Sequence, residues 1–172
     1  MGDTTITIIA IFLAAILMFV FPLMTLSDRS DDVANLSVQT ITSEFVDNVK
    51  KTGKLTEENY SKLVEQISST GNSYDVELKV QILDENLGKK ASNVAMDKIG
   101  ENLYMTMYTT QVLDAMKNGT LTLKEGDRIS VSVKNTNTTI SQQLKNFLYK
   151  VTGNDSYQIS AEASGLVTVN GK

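Results

Sequence analysis

The first 27 residues constrain this chain more than any other segment, because no Asp, Glu, Lys or Arg lies between Thr4 and Ser27. At about 1.5 Å per residue, a helix over residues 6–26 would be about 31 Å long, close to the thickness of the hydrocarbon core of a bilayer. The sequence therefore predicts a single transmembrane anchor over residues 1–27.

Two alternatives for this segment remain open. A removable secretory signal needs a basic start and a short apolar core, whereas residues 1–3 hold no Lys or Arg and the apolar run is long. A buried helix of a soluble protein would have to be covered on every side, which is difficult for a domain of this size. We favour a retained anchor over both.

The charges beside the anchor say little about its orientation, because Arg29 is the only Lys or Arg close to either end. The residues that follow are rich in Asn, Ser and Thr and include no Cys, a texture typical of bacterial surface proteins. We therefore expect a short cytoplasmic amino terminus. Residues 28–172 should form one extracytoplasmic domain, which is long enough for a hydrophobic core.

The composition argues against several classes of function. The chain has no Cys, which excludes disulfides and thiolate metal sites, and no His, the commonest general base and zinc ligand. The formal charge is -4 and no Lys/Arg cluster is present, so a nucleic-acid partner is not expected. We expect no enzymatic activity, no catalytic residues, no cofactor and no metal.

Beyond the anchor, the chain has no Gly or Pro between Pro22 and Gly53. In this interval apolar residues recur at helical spacing, at Val38, Ile41, Phe45 and Val49. The pattern predicts one long helix, or two nearly collinear helices, from about residue 4 to residue 52, with a bend at Pro22. A separate amphipathic helix after a flexible SDRSDD joint is the alternative.

The next elements are marked by turn and cap residues. Gly53 suits the left-handed position that ends a helix, and Thr56 suits the cap of a second helix that Gly71 ends. From there the apolar period changes to two, which predicts a half-buried strand with one face formed by Tyr74, Val76, Leu78, Val80 and Ile82.

The rest of the chain gives a mixed signal. Residues 103–108 fit either a strand or a helix, and residues 112–116 suggest a short helix. Residues 129–133 alternate as a second clear strand, residues 140–151 are apolar at helical spacing, and a last strand begins at Tyr157. The sum is an α+β fold in which helices cover one face of a small antiparallel sheet and the other face is wet.

The sequence contains no clear motif for catalysis, metal binding or ligand binding. Acidic residues could offer oxygen atoms to a cation, but they lack the spacing of a calcium loop and are better interpreted as solvated turns. They are Asp28, Asp31 and Asp32 in one group, and Asp84 and Glu85, followed by the amide residue Asn86, in the other. The methionines of the domain are interpreted as core residues. They are Met96, Met105, Met107 and Met116.

An apolar helix that continues into an amphipathic half, has a Pro at mid-length and leads into a small α+β head resembles the type IV pilins and pseudopilins. The run VQTITSEFVDNVKKTGKLTEENYSKLVEQISSTGNSYDVELKV is similar to the TadE-type minor pseudopilins. The resemblance covers roughly residues 6–80. It implies a structural subunit that assembles with other proteins. The chain has Thr7, not the usual pilin Glu, at the fifth position counted from Asp3.

Two hypotheses for function follow. The first is a non-enzymatic, single-pass subunit of a bacterial pilus, secretion or conjugation apparatus, whose partners are the lipid bilayer, other subunits and further copies of the chain. Ala10 and Ala14, spaced by four, would permit close approach of two helices within the membrane. The second hypothesis is a membrane-tethered binding or sensor domain, which requires a concave pocket with convergent polar groups.

Overall fold

The computed structural model describes residues 2–83, 104–140, 142, 143, 146 and 159–171. Over these residues the fold is α+β, as the sequence predicts, and combines helices with two antiparallel sheets. The helices are α1 (Gly2–Thr52), α2 (Glu57–Ser68) and α3 (Thr109–Lys117). The strands are β1 (Lys54–Leu55), β2 (Tyr74–Leu83), β3 (Tyr104–Tyr108), β4 (Leu121–Thr122), β5 (Arg128–Asn135) and β6 (Ser160–Leu166).

The long helix α1 runs without interruption for 51 residues. It passes through Pro22 and through residues 27–32, so the continuous helix is confirmed and the alternative of a separate helix after a joint is wrong. The bend expected at Pro22 stays a prediction. By length and composition, α1 is apolar enough to cross a membrane, and its most apolar stretch is not buried against the rest of the chain.

The second half of α1 buries one stripe of side chains against the remainder of the protein. The buried residues recur every three or four positions, with Val46 directly following Phe45, which places them on one face of the helix. They contact β5, β6 and α2. The stripe consists of Asp31, Ala34, Val38, Thr42, Phe45, Val46 and Val49.

The larger sheet has the strand order β3-β2-β5-β6, and every neighbouring pair is antiparallel. We call the described residues from Gly53 onward the head. In its sheet, Leu78 lies opposite Val131, and Val131 lies opposite Ala163. Residues that lie opposite one another share a face, so this row lies on the face that contributes to the core.

The other face of the same sheet is polar. Glu77 lies opposite Ser132, which in turn lies opposite Glu162, and both carboxylate side chains are exposed. The side chains of successive strand residues alternate between the two faces. The expected antiparallel sheet with one wet face is therefore confirmed.

The structure also decides the ambiguous middle of the sequence. Residues 104–108 form strand β3, because Met107 pairs with Val80 of the strong strand β2. The short helix expected around residues 112–116 is confirmed as α3. The cap expected at Thr56 is confirmed too, since its side chain accepts a hydrogen bond of 3.2 Å from the backbone N–H of Asn59.

The carboxyl end of α1 is fixed by backbone contacts. Gly53 has a φ of 62° and donates its N–H to the carbonyl of Val49 at 2.8 Å, as the sequence predicts for a helix end. The Gly53 carbonyl then accepts from the N–H of Leu123 at 2.7 Å, and the Leu123 carbonyl accepts from Gly171 at 2.9 Å. The two-residue strands β1 and β4, which the sequence did not predict, pair beside this junction.

Some sequence predictions lie outside the described residues. These are the acidic cluster at residues 84–86, Met96 and the start of the last strand at Tyr157. The helix expected over residues 140–151 is described only at residues 140, 142, 143 and 146, which are helical.

Two glycine substitutions should separate backbone strain from a steric clash. A Cβ at Gly53 would lie 2.5 Å from the backbone nitrogen of Gly171, whereas no described atom lies within 4 Å of a Cβ built at Gly71, whose φ is also positive. Gly71→Ala should lower the free energy of unfolding by about 1–2 kcal/mol. Gly53→Ala should lower it by about 2–5 kcal/mol, since overpacking adds to the strain.

The measurement is urea unfolding of the full chain in detergent micelles, followed by near-UV circular dichroism. Equal losses for Gly53→Ala and Gly71→Ala would contradict the tight junction at the end of α1.

Candidate functional site

The apolar half of α1 presents large side chains all around its circumference. Between Ile6 and Leu26 these side chains are mostly exposed, and Phe12 and Met18 are among the most exposed of them. Contact of such a surface with water is strongly unfavourable, at about 25 cal/mol per Å² of apolar area. A surface of this extent is typical of a segment that lies in lipid or against other apolar helices.

The apolar exposure continues past Leu26 on one side of the helix. Val33 is 65% exposed and Leu36 is 66% exposed, although both belong to the half of α1 that packs on the head. They lie on the side opposite the buried stripe, three residues apart and therefore adjacent on the helix surface. We call Leu26, Val33 and Leu36 the outer patch. Farther along the same side the exposed residues are polar, namely Thr40, Ser43, Glu44 and Asp47.

An open groove of about 700 Å³ borders the outer patch. It runs between α1 and the end of α2, where Ser69 and Thr70 form part of its wall. The α1 wall includes Leu26 and Val33 of the outer patch together with Arg29. The groove therefore combines an apolar strip with one basic side chain.

The acidic cluster after the apolar half does not gather into a site. Asp31 is turned inward and is only 7% exposed, whereas Asp32 is exposed on the surface. Among the residues that the structure describes, no group of three or more acidic side chains could hold a metal ion.

The buried Asp31 makes a specific contact with a distant loop. Its Oδ2 accepts a hydrogen bond of 2.6 Å from Oγ1 of Thr139, across 108 residues of sequence, and both residues are buried. A carboxylate in such a place needs a hydrogen-bond partner, because an unpaired buried charge is costly. The pair ties the middle of α1 to the loop that follows β5.

Thr139 also begins the next helical segment. Its Oγ1 accepts from the N–H of Gln142 at 3.2 Å, and its own N–H donates to Oε1 of Gln142 at 3.1 Å. This reciprocal pair is a capping box, and the residues Thr139-Ile-Ser-Gln142 are its sequence signature. Sequence reasoning missed it, although the signal was present in the chain.

The loop before Thr139 is held by amide groups. Oδ1 of Asn137 accepts from the N–H of Ser73 at 2.8 Å, and Nδ2 of Asn137 donates to Oδ1 of Asn72 at 2.9 Å. The N–H of Thr136 donates to the carbonyl of Ser73 at 2.8 Å. The Asn- and Thr-rich loop after β5 is therefore hydrogen-bonded to the turn before β2.

A polar cleft of about 400 Å³ opens where α1 meets these two turns. Its walls come from α1 and from the loops around residues 70–72 and 137–140. The lining residues are Ser27, Ser30, Asp31, Thr70, Gly71, Asn72, Asn137, Thr138, Thr139 and Ile140.

The polar face of the larger sheet carries a cation–π pair with a hollow beside it. The guanidinium of Arg128 lies 4.8 Å from the centroid of the Tyr104 ring, a cation–π arrangement. A shallow hollow of about 310 Å³ beside it is lined in part by Gln81, Arg128, Ser130 and Ser164. This is the place where the described sheet offers several polar groups to one small volume.

The perturbed titratable groups of the described residues belong to helix surfaces and to packing. A hydrogen bond from Lys50 lowers the pKa of Asp47, and one from Lys62 lowers the pKa of Glu58. Partial burial raises the pKa of Tyr60, which packs against the core. The ion pairs Lys50–Asp47 and Lys62–Glu58 lie on helix surfaces and contribute little to the stability of the protein.

The methionines interpreted as core residues divide by position. Met116 is buried and Met107 packs against the core, which confirms the prediction for these two residues. Met105 is 54% exposed on β3, a strand at the edge of the sheet, so the prediction is wrong there.

Comparison with known proteins adds no relative. No protein-family model matches the chain, and neither a curated protein nor a solved structure matches it significantly.

The contact between Asp31 and Thr139 should be measurable by a double-mutant cycle. Thr139→Val leaves the buried carboxylate without its donor and should cost about 1–3 kcal/mol of unfolding free energy. Combined with Asp31→Ala, the two changes should show a coupling energy of about 0.5–3 kcal/mol. Chemical unfolding of the full chain in micelles provides the values.

Two controls accompany this cycle. Thr139→Ser keeps the hydroxyl and should stay close to the parent, and Thr138→Val alters the exposed neighbouring residue. Strictly additive costs for Asp31→Ala and Thr139→Val would show that the hydrogen bond does not couple α1 to the loop.

Proposed function

We propose that this protein is a non-enzymatic, single-pass membrane subunit of a pilus-like, secretion or conjugation assembly, with α1 as both anchor and assembly element. The observation that carries the proposal is the outer patch. Apolar exposure on α1 does not stop where the span would end at Leu26 but continues at Val33 and Leu36.

The height of the outer patch favours a protein partner over lipid. Val33 and Leu36 lie about 10 Å and 15 Å beyond Leu26 along the helix axis. The headgroup layer adds only about 5–8 Å on each side of the hydrocarbon core. For a helix close to the bilayer normal, both side chains stand clear of the lipid. Another protein surface is the environment that would cover them.

The groove beside the patch supports the same proposal. It continues the apolar side of the span upward, so a neighbouring helix lying along the span could extend its contacts past the membrane surface. Ala10 and Ala14, which are exposed within the apolar half, would allow that neighbour to approach closely. A second copy of this chain supplies such a helix, in keeping with the pilin-like plan that the sequence resembles.

Cysteine cross-linking tests this arrangement directly, because the natural chain has no Cys. Single substitutions Val33→Cys and Leu36→Cys, treated in native membranes with a short bismaleimide, should give cross-linked dimers, because one thiol on each chain allows a single link. Ser43→Cys is the matched control, since Ser43 is exposed on the same side of α1 but beyond the apolar residues. Immunoblotting after denaturing electrophoresis gives the yields.

Two results would contradict the proposal. Equal cross-linking yields at residues 33, 36 and 43 would indicate random collision. The absence of a cross-linked product at residues 33 and 36 would show that no second copy of the chain covers the outer patch. Protease treatment of intact cells tests the orientation, because the proposed extracytoplasmic head should be cleaved without lysis.

A tethered binding domain is the second candidate, and the Arg128 hollow is the observation that favours it. A cation held over an aromatic ring beside Ser and Gln side chains suits an anionic or hydroxyl-rich ligand. The hollow is shallow and lies on an open sheet face, which ranks this candidate below assembly.

This second candidate makes its own prediction. If the wet face binds a carboxylated glycan, Arg128→Gln should abolish binding in a glycan array probed with the detergent-solubilised chain. Lys134→Gln, which removes a charge from the same face of β5, should leave binding within a few-fold of the parent. Equal effects of the two substitutions would indicate a general charge effect instead of a site.

A further inference from the structure

Ile140 is a conspicuous apolar residue of the head. Its side chain is 66% exposed, more than any other large apolar side chain that the structure describes from Gly53 onward. It follows the cap residue Thr139 directly and is the first helical residue within the capping box. Its backbone position is therefore fixed by the hydrogen bond between Thr139 and Asp31.

The level of Ile140 along α1 can be read from the residues around it. Ile140 lines the same polar cleft as Ser27 and Ser30, and its neighbour Thr139 bonds to Asp31. Ser27 to Asp31 lie about 1.5–7.5 Å beyond Leu26 along the helix axis. This interval coincides with the headgroup layer, which is about 5–8 Å deep on each side of a bilayer.

The surroundings of Ile140 suit that layer. Most of the cleft is lined by hydroxyl and amide side chains, such as those of Ser30, Asn72 and Thr138. The one carboxylate in its wall, Asp31, is turned inward and accepts the Thr139 hydroxyl. An apolar side chain beside neutral hydrogen-bonding groups matches the mixed polarity of the membrane interface, where amphipathic surfaces bind.

We propose that the underside of the head, formed by Ile140 and the polar cleft, rests in the headgroup layer of the bilayer. Ile140 is then a second lipid contact beside the span. This inference rests on the proposed membrane anchoring by α1. Its physical consequence is a restraint on the tilt of α1, because a lipid contact away from the helix axis opposes tipping of the chain relative to the membrane.

Depth-dependent fluorescence quenching tests the inference on the full chain. Single-cysteine variants Ile140→Cys, Ala15→Cys and Val169→Cys carry an environment-sensitive NBD label and are reconstituted into dioleoylphosphatidylcholine vesicles. A matched set of vesicles contains lipid with a nitroxide near the headgroup end of the acyl chain. Ala15 reports the middle of the apolar half, and Val169 lies beside Gly53 at the far end of α1.

The expected result is a blue shift of NBD emission at residue 140 relative to residue 169, with loss of intensity in nitroxide vesicles. The label at residue 15 should show a blue shift, and the label at residue 169 should show neither effect. Circular dichroism of each variant confirms that the helix content is that of the parent. Thr138→Cys, in the same cleft, gives a second position should Ile140→Cys fold poorly.

The results that would contradict the lipid contact differ from the result that would contradict the anchoring by α1. A label at residue 140 that behaves like the label at residue 169 overturns the lipid contact while leaving the anchor intact. A blue shift at residue 140 without nitroxide quenching overturns it as well, since protein and not lipid then covers the side chain. If the label at residue 15 is water-exposed, the anchoring by α1 fails, and with it both proposals.

Discussion

The head of this protein is held to α1 along one side of the helix only. The buried stripe from Asp31 to Val49 packs on β5, β6 and α2, while the opposite side of the same turns stays open. A helix with two such sides gains stability from packing on one face and keeps the other for a different environment. The exposed apolar half, the outer patch and the position of the polar cleft all follow from this one-sided attachment.

Because α1 is one continuous helix, its attachment to the head also positions the amino-terminal half of the helix. A hydrogen-bonded helix has no soft joint, so the position of any residue before Ser27 is set relative to the head by the turns between them. The contact of Asp31 with Thr139 holds the helix at its middle, and the junction of Gly53 with Leu123 holds it at its end. Two fixed points along a stiff element define an axis, which one contact alone would not do.

Much of this fold could be predicted from the sequence, because its main elements have strong periods. The apolar positions Val38, Phe45 and Val49 marked the helix, and the alternation from Tyr74 marked the central strand. Short elements have too few residues to show a period, and β1 and β4 were missed for that reason. Residues 104–108 alternate weakly, so only pairing with β2 decides that they form a strand.

The candidate site was harder to predict than the fold. Asp31 was grouped with Asp28 and Asp32 as a solvated cluster, and its burial depends on a partner 108 residues away. Nothing local in the sequence signals a contact of that separation. The outer patch was missed for a different reason, since Val33 and Leu36 are apolar but lie on the side of α1 that the head leaves open. Periodicity identifies apolar residues, but tertiary packing decides which of them are covered.

The end of α1 has a mechanical consequence. The helix carbonyl of Lys50 accepts from the backbone and the hydroxyl of Thr168, while Gly53 is joined to Leu123 a turn later. Tension applied along α1 would therefore be shared between these bonds and the whole buried stripe, and they would have to yield together instead of one after another. Attachments stressed in this shared way resist pulling far better than attachments that peel open from one end.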